Sequence, residues 1–257
     1  MSDHYLLSIV SVGLSLKDIK NTFKSLPFPL PVWIQYIIVA PNNVVKSLES
    51  DPLFEYCDFV VDNRLGVYSA MNLGIDVSKG SYLWFLNSGD FWNYTSFDDL
   101  FLILSNSYEK NTTFILGRSV IHELLFFPPI FSSSLINLFL KILMFFQVMP
   151  ICHQNIITLR RNHPHFDTSY SYSADFNLLI SSINLQSKTR LLPVNFSLSS
   201  PGGISDTYRL KVFLERLDSS LSNSSFLTFP VIFVSFFIRI LYLALSNFIK
   251  SILLFLR

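Results

Sequence analysis

Charge and cysteine are both scarce in this sequence. Asp, Glu, Lys and Arg make up 14% of its 257 residues, against about 25% in ordinary soluble domains. Half of the residues are hydrophobic and mean hydropathy is +0.42, so some apolar surface is left over to meet lipid or a partner. No excess of either sign exists: 19 basic and 18 acidic residues give a net charge of +1. That balance excludes a nucleic-acid binder, which needs a concentrated basic footprint. Cysteine occurs only at Cys57 and Cys152, without a C-x-x-C spacing. Such a pair supports neither a disulfide framework nor a cysteine-based zinc site, and it fits a reducing, cytoplasmic setting. The opening MSDHYLLSIVSVGLSLKD has no basic flank before its apolar run and no clear small-residue cleavage site after it, so it reads as a first strand and not as a secretory signal.

What is present is an alternation of two periodicities. LLSIVSV (6 to 12), VWIQYIIVA (32 to 40), CDFVVD (57 to 62) and SYLWFLN (81 to 87) are bounded apolar runs with the composition of strands. Between them LKDIKNTFKSL (16 to 26), NNVVKSLES (42 to 50) and VYSAMNLGIDVS (67 to 78) carry helical spacing. Strand and helix in this rhythm predict an α/β fold, a mostly parallel sheet covered by helices. Ligands of such sheets bind outside the carboxyl ends of the strands.

The fourth run ends at such a place in FLNSGDFW, 85 to 92. An apolar strand breaks into Asn87, Ser88, Gly89 and Asp90, and Gly89 permits a turn that a Cβ would hinder. A carboxylate at this corner either holds a hard divalent ion, which bridges one or two carboxylates to substrate phosphates, or caps the segment that follows.

The stretch LGVYSAMNLGIDVSKGSYLWFLNSGD, 65 to 90, resembles a block of bacterial family 2 glycosyltransferases, G-I-Y-D-A-M-N-x-G-I followed by G-x-Y-x-x-F-L-N-S-G-D. A second stretch, ICHQNIITLRRNHPHFDTSYSYSADFNLLI (151 to 180), resembles the acceptor-side segment of that family, an H-Q pair followed by F-D-x-x-Y and A-D-F. PGGIS, 201 to 205, is similar to a glycine-rich loop near the family's C-terminal end. The resemblance implies a GT-A fold, Rossmann-like, with Asp90 as ligand of a Mn²⁺ or Mg²⁺ ion on a nucleotide-sugar diphosphate. Asn87 stands where a D-x-D would place its first acid and offers a neutral oxygen. Asp175 becomes the catalytic base, although as a first-turn acid it would also suit a helix dipole. His153 and Gln154 belong to the acceptor or phosphate side, His153 as an orienting group, a further metal ligand or a structural residue. Met71 and Asn72 shape the donor pocket with Ser88 and Gly89.

The family writes an acidic, glycine-rich loop after its second strand, where this chain has VAPNNV, 39 to 44. Recognition of the base or ribose would then fall to Asn42, Asn43 or the backbone. Arg64 replaces an acid before the G-V-Y block and either helps to hold the diphosphate or stays solvated, and Ser69 replaces the aspartate within the block.

The remaining apolar surplus lies in two places. Residues 123 to 150 carry only Glu123 and Lys141 as charges and are divided by Pro128 and Pro129, which speaks against a span. In 226 to 257 the charges are Arg239, Lys250 and Arg257. At 100° per residue these fall within about 20° of one helical stripe, beside Ser246. A narrow basic stripe on an apolar helix suits a segment lying in the membrane interface; a true span, or burial against the catalytic domain, are the other uses. The sequence thus predicts a GT-A domain over 1 to 222, with a nucleotide-sugar half to about 95 and an acceptor half beyond it, and a membrane-associating tail over 223 to 257. By resemblance the activity is transfer of a sugar from a nucleotide donor to a saccharide, or lipid-linked saccharide, on the cytoplasmic face of a membrane, in synthesis of a bacterial surface polysaccharide such as O-antigen or capsule. Its rival is an inactive relative acting as a membrane-bound partner of polysaccharide enzymes, a reading that the missing acidic loop favours.

Overall fold

The protein is seen in a computed structural model that describes residues 5–94, 96–118, 132–199 and 207–224, with the isolated positions 230, 232, 234 and 237. The PGGIS loop, residues 119 to 131 and the tail's Arg239, Ser246, Lys250 and Arg257 lie outside the described residues.

The chain opens with β1 (Leu7–Val12), α1 (Leu16–Lys24), β2 (Ile34–Ala40), α2 (Asn42–Glu49), β3 (Cys57–Val61), α3 (Val67–Val77) and β4 (Tyr82–Phe85). These are the seven elements the alternation predicts, with ends differing by a few residues. It continues through β5 (Phe91–Trp92), α4 (Phe97–Glu109), β6 (Phe114–Leu116), α5 (Ser133–Phe145), β7 (Ile156–Leu159), α6 (Ala174–Ser182), β8 (Thr189–Leu191), β9 (Ser197–Leu198) and α7 (Arg209–Ser222). One seven-stranded sheet runs β3-β2-β1-β4-β7-β6-β8, while β5 and β9 form a small ribbon. Strands β1 to β4 pair in parallel, and β7 lies antiparallel between β4 and β6.

Period-two alternation in β1 explains how the sheet is covered. Leu7 and Ile9 face a core built with Ile19 and Phe23 of α1 and with Leu100 and Leu104 of α4. Val10 and Val12 face the opposite core, with Tyr68, Ala70 and Met71 of α3 and Ala174 and Leu178 of α6. All six residues of β1 are buried, as a central strand covered on both faces requires.

The oily segment after Pro129 is partly accounted for by packing. Ile136, Leu140 and Met144 of α5 bury against Phe114, Leu116, Phe176 and Leu179, so α5 is a core helix. Among the described residues no helix is long and apolar enough to cross a membrane.

Candidate active site

Strand order reverses direction between β1 and β4, and the crevice at their carboxyl ends is where such sheets take ligands. Pairing continues past the end of β4: Leu86 N–H donates to Val10 O and Ser88 N–H to Val12 O, each at 3.0 Å. The chain then turns through Gly89, whose φ of 94° lies in the region that favours glycine. Thr22 of α1 clamps this turn, accepting from Gly89 N–H at 2.9 Å and donating to Asn87 O at 3.5 Å. Asp90 N–H closes it on Asn87 O at 3.0 Å. Gly13, just past β1, gives the corner its room, because a Cβ there would stand 2.2 Å from Ser88 Oγ. The answer to the capping question is local: Asp90 precedes β5, and the N-cap of α4 is Ser96.

Antiparallel pairing of β7 with β4, in the register Trp84↔Ile157, brings the start of β7 beside the end of β4. The 3-10 turn His153–Asn155 therefore faces the Asn87–Asp90 corner. Its backbone is anchored where Gln154 O accepts from Trp84 Nε1 at 2.7 Å and from Ser197 Oγ at 3.0 Å. From this anchor Gln154 Nε2 donates to Asp90 Oδ2 at 2.9 Å. Its neighbour His153 places Nδ1 3.4 Å from Asp175 Oδ2, and its Nε2 is 3.2 Å from Asn87 Nδ2. With Asn87 Nδ2 donating to Nε2, the imidazole proton sits on Nδ1 and points at Asp175. Consecutive residues of one turn thus hold the two aspartates, one each.

Asp175 lies in the first turn of α6. Its Oδ1 accepts from Tyr68 O–H of α3 at 3.1 Å and from Phe176 N–H at 2.9 Å. Burial pushes this carboxyl up, but the hydrogen bond and electrostatic pull of the His153 ring, the charge of Arg216 and Phe176 N–H outweigh it and hold the group below the usual carboxylate range. Burial and the adjacent Asp175 carboxylate push the Tyr68 phenol well above its ordinary value. Tyr68 is therefore a standing donor to an ionised Asp175 at neutral pH.

The cation question turns on donor chemistry. Asn87 Oδ1 is buried and without a hydrogen-bond partner among the described residues, next to the Asp90 carboxylate, and amide and carboxylate oxygens are the ligands a hard ion prefers. Among the described residues no group of three His, Cys, Asp or Glu could cage a metal. The corner fits an ion that takes one or two protein oxygens and draws its other ligands from a bound phosphate and water.

The remaining predicted residues divide. Asn42 and Asn43 are exposed at the start of α2, and Arg64 is exposed in the β3 to α3 connection with φ 58°, all at the carboxyl edge of the sheet. Ser88 stands against Gly13. Met71, expected in the donor pocket, is 1% exposed within the core, because its face of α3 packs on the sheet. Asn72 is engaged by Phe166, donating to its O at 2.9 Å and accepting from its N–H at 2.8 Å, so it fastens the 160s loop to α3. Sequence reasoning passed over Tyr68, although it lies inside the quoted block, and Thr22. It also passed over Asp62, which is 9% exposed and accepts from Arg64 N–H at 2.8 Å. Its signal was an acid at the carboxyl end of a legible strand.

The chain matches no family model and no curated protein sequence. Its fold is similar to several solved structures. Staphylococcus aureus TarS 1–349 in complex with UDP aligns at 12% identity and TM-score 0.51, over 82% of this chain and 65% of that one. The mannosyltransferase PcManGT from Pyrobaculum calidifontis, in complex with GDP-Man and Mn²⁺, aligns at 10% identity and TM-score 0.60, over 91% and 69%. Glucosyl-3-phosphoglycerate synthase from Mycobacterium tuberculosis, with Mn²⁺, UDP and glucosyl-3-phosphoglycerate, aligns at 12% identity and TM-score 0.52, over 85% and 80%. The shared feature is the fold: a mostly parallel, Rossmann-like sheet flanked by helices, the GT-A arrangement of these glycosyltransferases. The chain spans about two thirds of TarS 1–349.

Proposed function

We propose that the protein is a family 2 type glycosyltransferase, moving a sugar from a nucleoside-diphosphate donor to a saccharide acceptor. The observation that carries this reading is the pairing of Asp90 and Asp175 through Gln154 and His153 at the switch point of the sheet. Fold neighbours bound to UDP, GDP-Man and Mn²⁺ support it.

In this mechanism Asp175 receives the proton of the acceptor hydroxyl as that oxygen attacks the anomeric carbon and the bond to the diphosphate breaks. Displacement from the far side inverts the anomeric configuration. His153 and Tyr68 hold the carboxylate in place, and their hydrogen bonds with the charge of Arg216 keep it ionised and ready. Asp90 with Asn87 Oδ1 would hold Mn²⁺ or Mg²⁺, which when bound neutralises charge on the departing diphosphate. Asn42, Asn43, Asp62 and Arg64 line the edge where the nucleotide would lie. The basic stripe of the tail supports attachment to the cytoplasmic face of a membrane, and so a lipid-linked acceptor for a surface polysaccharide.

A second reading, an inactive GT-A partner of other polysaccharide enzymes, is favoured by the absence of a carboxylate from Ala40 to Asn43. Binding of a panel of nucleotides and nucleotide sugars, with and without Mn²⁺, separates the two. The enzyme reading requires metal-dependent binding of a diphosphate nucleotide that Asp90→Ala abolishes. Folded protein that binds none sinks it.

A further inference from the structure

Beside the candidate base lies a surface feature that the proposed chemistry does not use. The rings of Tyr172 and Tyr208 meet with centroids 5.1 Å apart at 46°. Lys211 Nζ lies 5.4 Å from the first ring centroid and 5.3 Å from the second, and 3.3 Å from Tyr172 O–H. Tyr208 is 44% exposed and Lys211 is exposed as well. Among the described residues no carboxylate pairs with this ammonium.

The loop that carries Tyr172 is tied to α7. Glu215 accepts from the N–H groups of Ser171 and Tyr172 at 2.9 and 2.8 Å, and Asp218 accepts from Tyr170 O–H at 2.8 Å. The acids of α7 are thus occupied in fixing the loop that leads to α6, three residues before Asp175. The charge of Arg216 acts on Asp175, and that of Glu215 on Tyr68. Ser173 Oγ donates to Val212 O at 3.3 Å, and the Arg216 guanidinium lies 5.5 Å from the ring centroid of Phe176, the residue after Asp175; these contacts set α7 against the start of α6, with Lys211 next to Val212 in the chain.

We infer that Tyr172, Tyr208 and Lys211 form an acceptor subsite for a pyranose that carries a negative charge. The inference rests on the glycosyltransferase reading and adds the acceptor's chemical class to it. An aromatic ring offers a flat apolar face to the C–H face of a sugar. An ammonium already poised over the rings takes a phosphate or carboxylate on the same sugar with little further ordering cost. A neutral sugar uses half of the feature, and inorganic phosphate uses the other half.

The test is calorimetric titration of the full chain with glucose 1-phosphate, glucuronate, glucose and inorganic phosphate. Wild type should bind one or both charged sugars at least about tenfold more tightly than glucose or phosphate alone; which of them binds identifies the source of the charge. Tyr172→Ala and Lys211→Ala should each lose that preference and leave nucleotide binding within about twofold. Equal affinity for all four probes would overturn the subsite, and so would charged-sugar binding that survives both substitutions. Loss of nucleotide binding by wild type would instead strike the glycosyltransferase reading, which the sugar titration alone does not touch.

Discussion

Gln154 donates to the carboxylate of Asp90 at 2.9 Å across a sequence separation of 64. The contact exists because β7 runs antiparallel to β4, so that a turn from the second half of the chain faces the corner of the first. Gln154→Ala should remove this donor from the carboxylate while leaving the backbone anchors at Trp84 and Ser197 intact. Hydrogen bonds to charged groups are worth roughly 1.5–3 kcal/mol. Urea unfolding should therefore show a loss of that order, and metal-dependent nucleotide affinity should fall about tenfold or more.

Asp175 titrates below the usual carboxylate range. A carboxyl with a lowered folded value contributes stability above its unfolded value, about 3.9, and loses the contribution as pH falls through the folded one. Wild type should lose stability more steeply than Asp175→Asn on acidification below about pH 4. Parallel denaturation curves across that window would contradict the assignment.

Two glycines near the corner should fail for different reasons. At Gly89 an added Cβ meets nothing within 4 Å, so the cost of Gly89→Ala is the left-handed backbone alone, about 1–2 kcal/mol. At Gly13 the Cβ would stand 2.2 Å from Ser88 Oγ and 2.9 Å from Ile19 Cγ1. Gly13→Ala should displace the corner, so its loss of nucleotide affinity should exceed that of Gly89→Ala when both are titrated.

The membrane proposal predicts that the full chain sediments with vesicles containing anionic lipid, and that binding weakens with salt. Replacing Arg239, Lys250 and Arg257 with glutamine should release most of it. Retention by neutral vesicles in high salt would point to apolar insertion instead.

The first half of the fold was legible because its strands are bounded apolar runs and its helices carry clear spacing between them. The acidic corner was legible for the same reason, as an abrupt polar end to a buried strand. The arrangement of the site was less so. His153 and Gln154 were visible as a pair, but only the register of β7 on β4 determines that one serves Asp175 and the other Asp90. Tyr68 and Met71 illustrate the limit within a single helix: both lie in the quoted block and both are largely buried. Which of them sends a polar atom to the site depends on how α3 packs beside α6, and a motif does not contain that information.

Release of nucleoside diphosphate from the bound nucleotide sugar, compared between wild type and Asp175→Asn, tests the central claim most directly. The account predicts that the variant binds the donor with nearly unchanged affinity and releases product at least about a hundredfold more slowly. A variant that turns over at the wild-type rate would contradict Asp175 as the base, and the site as the seat of glycosyl transfer.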